Sequence, residues 1–142
     1  MCPDVGGGDR RRVVSARILV VEDNALNLQL VRDILEYRGH EIESATTVQE
    51  ARDQLRSRRP DLVLLDIQLS GGGGETLLRE IRGNVDLAGL PVVAVTAFAM
   101  EGDRERLLGA GFDGYLSKPI DTRTFGPAVE KFLNGKGTPD VR

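Results

Sequence analysis

One cysteine, Cys2, and one histidine, His40, are all that 142 residues contain of either. With a single thiol no internal disulfide can close, and a cysteine-rich zinc site is excluded. A single imidazole rules out histidine-cluster metal centres. His40 stands in "RGHEI", a helix-to-strand turn by pattern, which is a poor setting for the base of a Ser–His–Asp triad. No apolar run approaches the ~18 residues of a membrane span. The N-terminus carries no apolar segment of signal-peptide type, so a cytoplasmic protein with no membrane partner is expected. Positive charge is not in excess either. The net charge is −3, which gives no case for nucleic-acid binding. The one basic cluster, Arg10, Arg11 and Arg12, follows a glycine-rich stretch and reads as a solvated tail.

What is present looks like an ordinary soluble domain, 40% apolar and 29% charged. The length suits one domain with one core, over residues 16–133, between flexible tails at 1–15 and 134–142. "RILVVE" (17–22) is a short apolar run and reads as a buried strand. In the following segment Leu28, Val31 and Leu35 share a helical face, with Leu30 and Ile34 beside it and Gly39 as the stop. A strand is expected over 41–45. A helix capped by Thr46 or Thr47 then runs to about Arg58, ahead of Pro60. Further strands are expected over 62–66, 91–96 and 114–118. They alternate with helices near 75–82 and 101–109 and a last one reaching Leu133. The alternation is (βα)5. The first, third and fourth strands are continuous apolar runs, as parallel strands covered on both faces require. Right-handed crossovers then give an α/β, doubly wound, parallel five-stranded sheet.

The polar residues of these strands gather at their ends. The first strand runs into Glu22 and Asp23, the third into Asp66, the fourth into Thr96 and the fifth into Lys118. In an open parallel sheet the carboxyl ends share one edge, where ligands bind. Each residue taken alone has an ordinary explanation: Asp23 as a helix cap, Thr96 as a strand former, Lys118 as a solvated charge. Together they place three carboxylates, a hydroxyl and an ammonium in one cleft. Clustered carboxylates repel one another and suit a hard divalent cation with oxygen ligands. An ammonium and a hydroxyl beside them suit a phosphoryl group.

The set "VVEDN" (20–24), "LLDIQL" (64–69), "VTAFAM" (95–100) and "YLSKP" (115–119) closely resembles the receiver domain of two-component response regulators. The likeness covers about residues 16–133 and is nearest to stand-alone receivers of the DivK kind and to receivers of hybrid kinases. It implies the flavodoxin-like (CheY-like) strand order 2-1-3-4-5. It also implies that Asp66, its oxygen facing solvent and metal, accepts a phosphoryl group from a histidine kinase or histidine phosphotransfer protein. Glu22, Asp23, Asp66 and the backbone carbonyl of Gln68 would surround Mg²⁺. Thr96 and Lys118 would bind phosphoryl oxygens, Tyr115 would be the aromatic switch, and Lys118–Pro119 would be cis. Output would pass by protein contact through the face made by the fourth helix, fifth strand and fifth helix, with room for a phosphorylation-dependent dimer. Such a protein is not an enzyme in the usual sense, since it catalyses only its own phosphorylation and dephosphorylation. Gln68 and Phe98 would flank the path of the hydrolytic water, and a bulky Phe98 would screen it.

Two stretches depart from the family. "SGGGG" (70–74) replaces a stiffer loop after Asp66, and ordering four glycines costs backbone entropy. In "TFGPAV" (124–129), Pro127 cannot lie deep in a helix. Either Gly126 caps a helix with Pro127 in its first turn, or the helix entry is irregular. Rival readings fare poorly. "GGGGET" lacks the G-K-[ST] of a phosphate loop, and no G-x-G-x-x-G follows the first strand. A haloacid-dehalogenase-type phosphatase would need a second aspartate where Gln68 stands. The remaining alternative is a scaffold of receiver fold that works without phosphorylation.

Overall fold

A computed structural model describes residues 16–69, 73–87, 89–97 and 101–134. The two expected tails (1–15 and, but for Asn134, 134–142), the loop at 70–72 and Phe98 lie outside the described residues. The chain alternates β1 (Arg17–Val21), α1 (Ala25–Tyr37), β2 (Glu41–Ala45), α2 (Val48–Ser57), β3 (Leu62–Asp66), α3 (Gly74–Gly83), β4 (Val92–Thr96), α4 (Glu101–Ala110), β5 (Gly114–Ser117) and α5 (Phe125–Asn134). All four strand pairings are parallel and the order is β2-β1-β3-β4-β5, as the resemblance implies.

Strand composition follows position in the sheet. The central strands β3 and β4 are buried at every residue, whereas the edge strands β2 and β5 are only partly covered. Because successive side chains point to opposite faces, each central strand feeds two cores. Leu19, Val21, Val63, Leu65, Val92 and Ala94 pack with Leu55 of α2, Leu77 and Ile81 of α3, and Leu107 of α4. Ile18, Val20, Leu62, Leu64, Val93 and Val95 pack with Val31 and Leu35 of α1 and Phe125 and Val129 of α5.

The helix ends explain several sequence choices. Asn24, not Asp23, caps α1: its side chain accepts from the Asn27 N–H at 3.0 Å. That releases Asp23 from the capping role the sequence left open. Thr47 rather than Thr46 caps α2, accepting from Glu50 N–H, while the Glu50 carboxylate reaches back to the Thr46 N–H and hydroxyl. The α5 entry matches neither alternative in full, because the helix begins at Phe125, before Gly126. The Thr124 carbonyl already accepts from Ala128 N–H at 3.0 Å, so Pro127 sits in the first turn, where its missing N–H costs nothing. Gly126 is thus inside the helix and not its cap.

His40 is structural. Its ring is buried, Nδ1 accepts from the Ala16 N–H at 3.2 Å, and Nε2 lies 2.8 Å from Glu130 Oε2. Arg38 grips the same carboxylate through two 2.8 Å hydrogen bonds and, with His40, holds Glu130 below its usual range. This cluster ties the end of α1 to α5 beside the amino end of β2, across the sheet from Asp66.

Candidate functional site

The carboxyl ends of β1, β3 and β4 and the residue after β5 converge as the topology requires. β1 stops at Val21, one residue short of the expected end, but Glu22 extends the ladder by donating its N–H to the Ala45 carbonyl at 2.9 Å. One oxygen from each of Glu22, Asp23 and Asp66 lies within 4.8 Å of the others. Lys118 follows β5 directly instead of closing it, and its backbone N–H donates to the Thr96 carbonyl at 2.8 Å. Its ammonium then sits 3.3 Å from both Glu22 Oε1 and Asp66 Oδ2. Lys118–Pro119 is cis. Thr96, at the end of β4, is buried, and Tyr115 of β5 is half-buried against the core shared with α3 and α4.

Burial differs from the sequence expectation in one respect. Asp66 was expected to face solvent, yet it is 2% exposed, and Glu22 is 3% exposed. The Asp66 carboxylate is held on both oxygens: Oδ1 accepts from the Gln68 N–H at 2.9 Å and Oδ2 faces Lys118. Crowding two acids in so little water has an electrostatic cost. Burial, a hydrogen bond to Asp66 and the Asp66 charge together raise the Glu22 carboxyl to about 7, against the opposing pull of the Asn24 N–H and Lys118. Every donor in the cluster is a carboxylate oxygen. That chemistry fits a hard divalent cation.

The loop beyond Asp66 explains part of its glycine content. Gly73 has φ of 89°, in the left-handed region, and caps α3 by backbone alone. A Cβ there would also meet Val48 Cγ2 at 3.1 Å. The adjoining recess of about 300 Å³ is lined by Ile67, Gly73, Gly74, Glu75, Thr76 and Arg79. A roomier cleft of about 470 Å³ lies between α2 and α3 and contains none of the site residues, so chemistry and not volume locates the site. One contact had no sequence signal: the Gln68 side-chain oxygen accepts from the Ala97 N–H at 3.1 Å. Phe98, expected beside the water path, lies outside the described residues.

Comparison with known proteins agrees with this geometry. Residues 18–130 match the family described as "Response regulator receiver domain". The polar-differentiation response regulator DivK of Brucella anthropi is 41% identical over 116 residues, covering 82% of this chain and 94% of that protein. The receiver domain of a signal transduction histidine kinase from Syntrophus aciditrophicus superposes with a TM-score of 0.75 at 29% identity, covering 89% of this chain and 96% of the other. The Mn²⁺-bound form of response regulator Rcp1 superposes with a TM-score of 0.69 at 27% identity, covering 87% and 96%. A 2-1-3-4-5 parallel sheet with acids, threonine and lysine on its carboxyl edge, matched in sequence over most of its length, makes this chain a member of the response-regulator receiver family.

Proposed function

We propose that Asp66 accepts a phosphoryl group from a phosphohistidine on a histidine kinase or phosphotransfer protein, and that the loaded protein signals through the α4–β5–α5 face. The observation that carries this reading is the convergence of Glu22, Asp23 and Asp66 within 4.8 Å, with the Lys118 ammonium 3.3 Å from Asp66. In the reaction an Asp66 oxygen forms the new bond to phosphorus while the phosphorus–nitrogen bond to histidine breaks. The Gln68 N–H orients the nucleophile by holding Oδ1. Lys118 neutralises phosphoryl oxygens as charge develops, and Thr96 provides a hydroxyl donor. Glu22, Asp23, Asp66 and the Gln68 carbonyl would hold Mg²⁺, which when bound offsets the charge of the phosphoryl oxygens. The oxygen-only donor set and the existence of an Mn²⁺-bound form of Rcp1 support that assignment.

Thr96 and Tyr115 form the relay in this reading. Both sit on neighbouring strands, with Thr96 paired to Ser117 and Tyr115 to Ala94. Drawing Thr96 toward the phosphoryl group gives Tyr115 a new neighbour and alters the face formed by α4, β5 and α5. The signal requires that a downstream protein, or a second copy of the chain, bind the two states with different affinity. The work of such a protein belongs in the cytoplasm, where kinases draw on ATP. Incubating the protein with a small phosphodonor and Mg²⁺, followed by mass spectrometry, tests the acceptor. Wild type should gain one phosphoryl group and Asp66→Asn none. Undiminished labelling of the variant would refute the assignment, and an unlabelled wild type would favour a phosphorylation-independent scaffold.

A further inference from the structure

Gln68 is used twice in the resting protein. Its backbone N–H holds Asp66 Oδ1, and its side-chain Oε1 accepts from the Ala97 N–H. The second bond joins the segment after β3 to the segment after β4 through the same residue whose N–H holds the Asp66 carboxylate. Packing does not demand it: Gln68 is only half-buried and Ala97 is exposed, so water could serve both groups.

A phosphoryl group on Asp66 brings three oxygens into this corner. The Lys118 ammonium, 3.3 Å from Asp66 Oδ2, would meet one of them, and a cation held by the acidic cluster would offset the charge of another. For the third, the end of β4 offers the Thr96 hydroxyl and, one residue beyond the strand, the Ala97 N–H. In the resting protein the Gln68 amide oxygen already occupies that N–H. A backbone N–H carries a single hydrogen and does not serve two acceptors well. A charged phosphoryl oxygen is the stronger acceptor, so exchange favours the loaded state once the group is in place.

We propose that the Gln68 side chain is an internal competitor for the phosphoryl group. It is a positioning residue that pins Ala97 and the β4–α4 connection in the resting state and lets go on loading. The proposal rests on Asp66 as acceptor. It adds that the residue two beyond Asp66 lowers affinity for the loaded state through a neutral hydrogen bond.

Beryllofluoride with Mg²⁺, which mimics a phosphoryl group on a carboxylate, provides the probe. Gln68→Met keeps the length and removes the strong acceptor, and Gln68→Ala removes the side chain altogether. Without beryllofluoride the Ala97 amide resonance should move in both variants relative to wild type. With it bound, that difference should collapse. Both variants should bind beryllofluoride about three- to tenfold more tightly, the range expected from releasing one neutral hydrogen bond. Affinity equal to or weaker than wild type in both variants would overturn the competition. So would an Ala97 resonance that differs from wild type equally in the free and loaded states, because Gln68 would then remain in place. A wild type that binds no beryllofluoride would refute the acceptor reading itself, and this inference with it.

Discussion

Replacing Glu22 with glutamine should make the metal-free protein more stable at alkaline pH, although it deletes an ion-pair partner of Lys118. Glu22 is 3% exposed and its carboxyl is raised from 4.5 to about 7, first by burial and then by Asp66. A carboxyl whose folded value is raised binds its proton more tightly folded than unfolded. Its favourable protonated state is therefore fully available below 4.5, and stability falls as pH rises through 7. A shift of this size corresponds to about 3 kcal/mol at pH 8 and to about 1 kcal/mol or less at pH 5. Glutamine mimics the protonated form, and its oxygen can still accept from Asn24 N–H, while Lys118 keeps Asp66 at 3.3 Å. Urea unfolding in a chelator, at pH 5 and pH 8, measures the difference. The variant should gain up to about 3 kcal/mol at pH 8 and much less at pH 5. Adding Mg²⁺ at pH 8 should stabilise wild type and close the gap, because binding to the folded state alone adds stability by mass action. Equal stability of the two proteins at pH 8, or an advantage that does not change with pH, would refute the argument that Glu22 is electrostatically strained.

Two further outcomes test the relay and the packing. Thr96→Ala should still take up phosphoryl groups from a small donor, because Asp66 and Lys118 remain. The Tyr115 ring resonances should then no longer respond to loading; an unchanged response would remove Thr96 from the relay. Gly114→Ala should lower stability by about 1–3 kcal/mol through overpacking. A Cβ there would collide with the Phe132 ring of α5, and the urea midpoint reads the effect.

The strand positions were readable because a parallel sheet buries both faces of its central strands. Runs such as "LVLLD" have no amphipathic alternative, and each strand lies within two residues of its expected bounds. The clustering of the candidate site's residues was readable for a related reason. A charged residue closing an apolar run is costly unless function holds it there, and Glu22, Asp66 and Lys118 all stand at such ends. Local chemistry was less decisive. Asn24 and Asp23 are both good caps by type, and only the backbone path chose Asn24. Pro127 in the first turn was one of the expected entries, but only the backbone path set the start one residue before Gly126, with the Thr124 carbonyl accepting from Ala128 N–H.

The sequence by itself determined the order of elements, the family and the identity of the acidic, threonine and lysine residues at the sheet edge. These follow from periodicity and from residue type at strand ends, which are local along the chain. Tertiary structure alone decided how deeply Asp66 and Glu22 are buried, how far that raises Glu22, and that Arg38 and His40 share Glu130. It alone also placed the Gln68 amide on the Ala97 N–H, 29 residues away in sequence. Burial and long-range hydrogen bonds depend on which segments the fold sets side by side, and no local pattern encodes that distance.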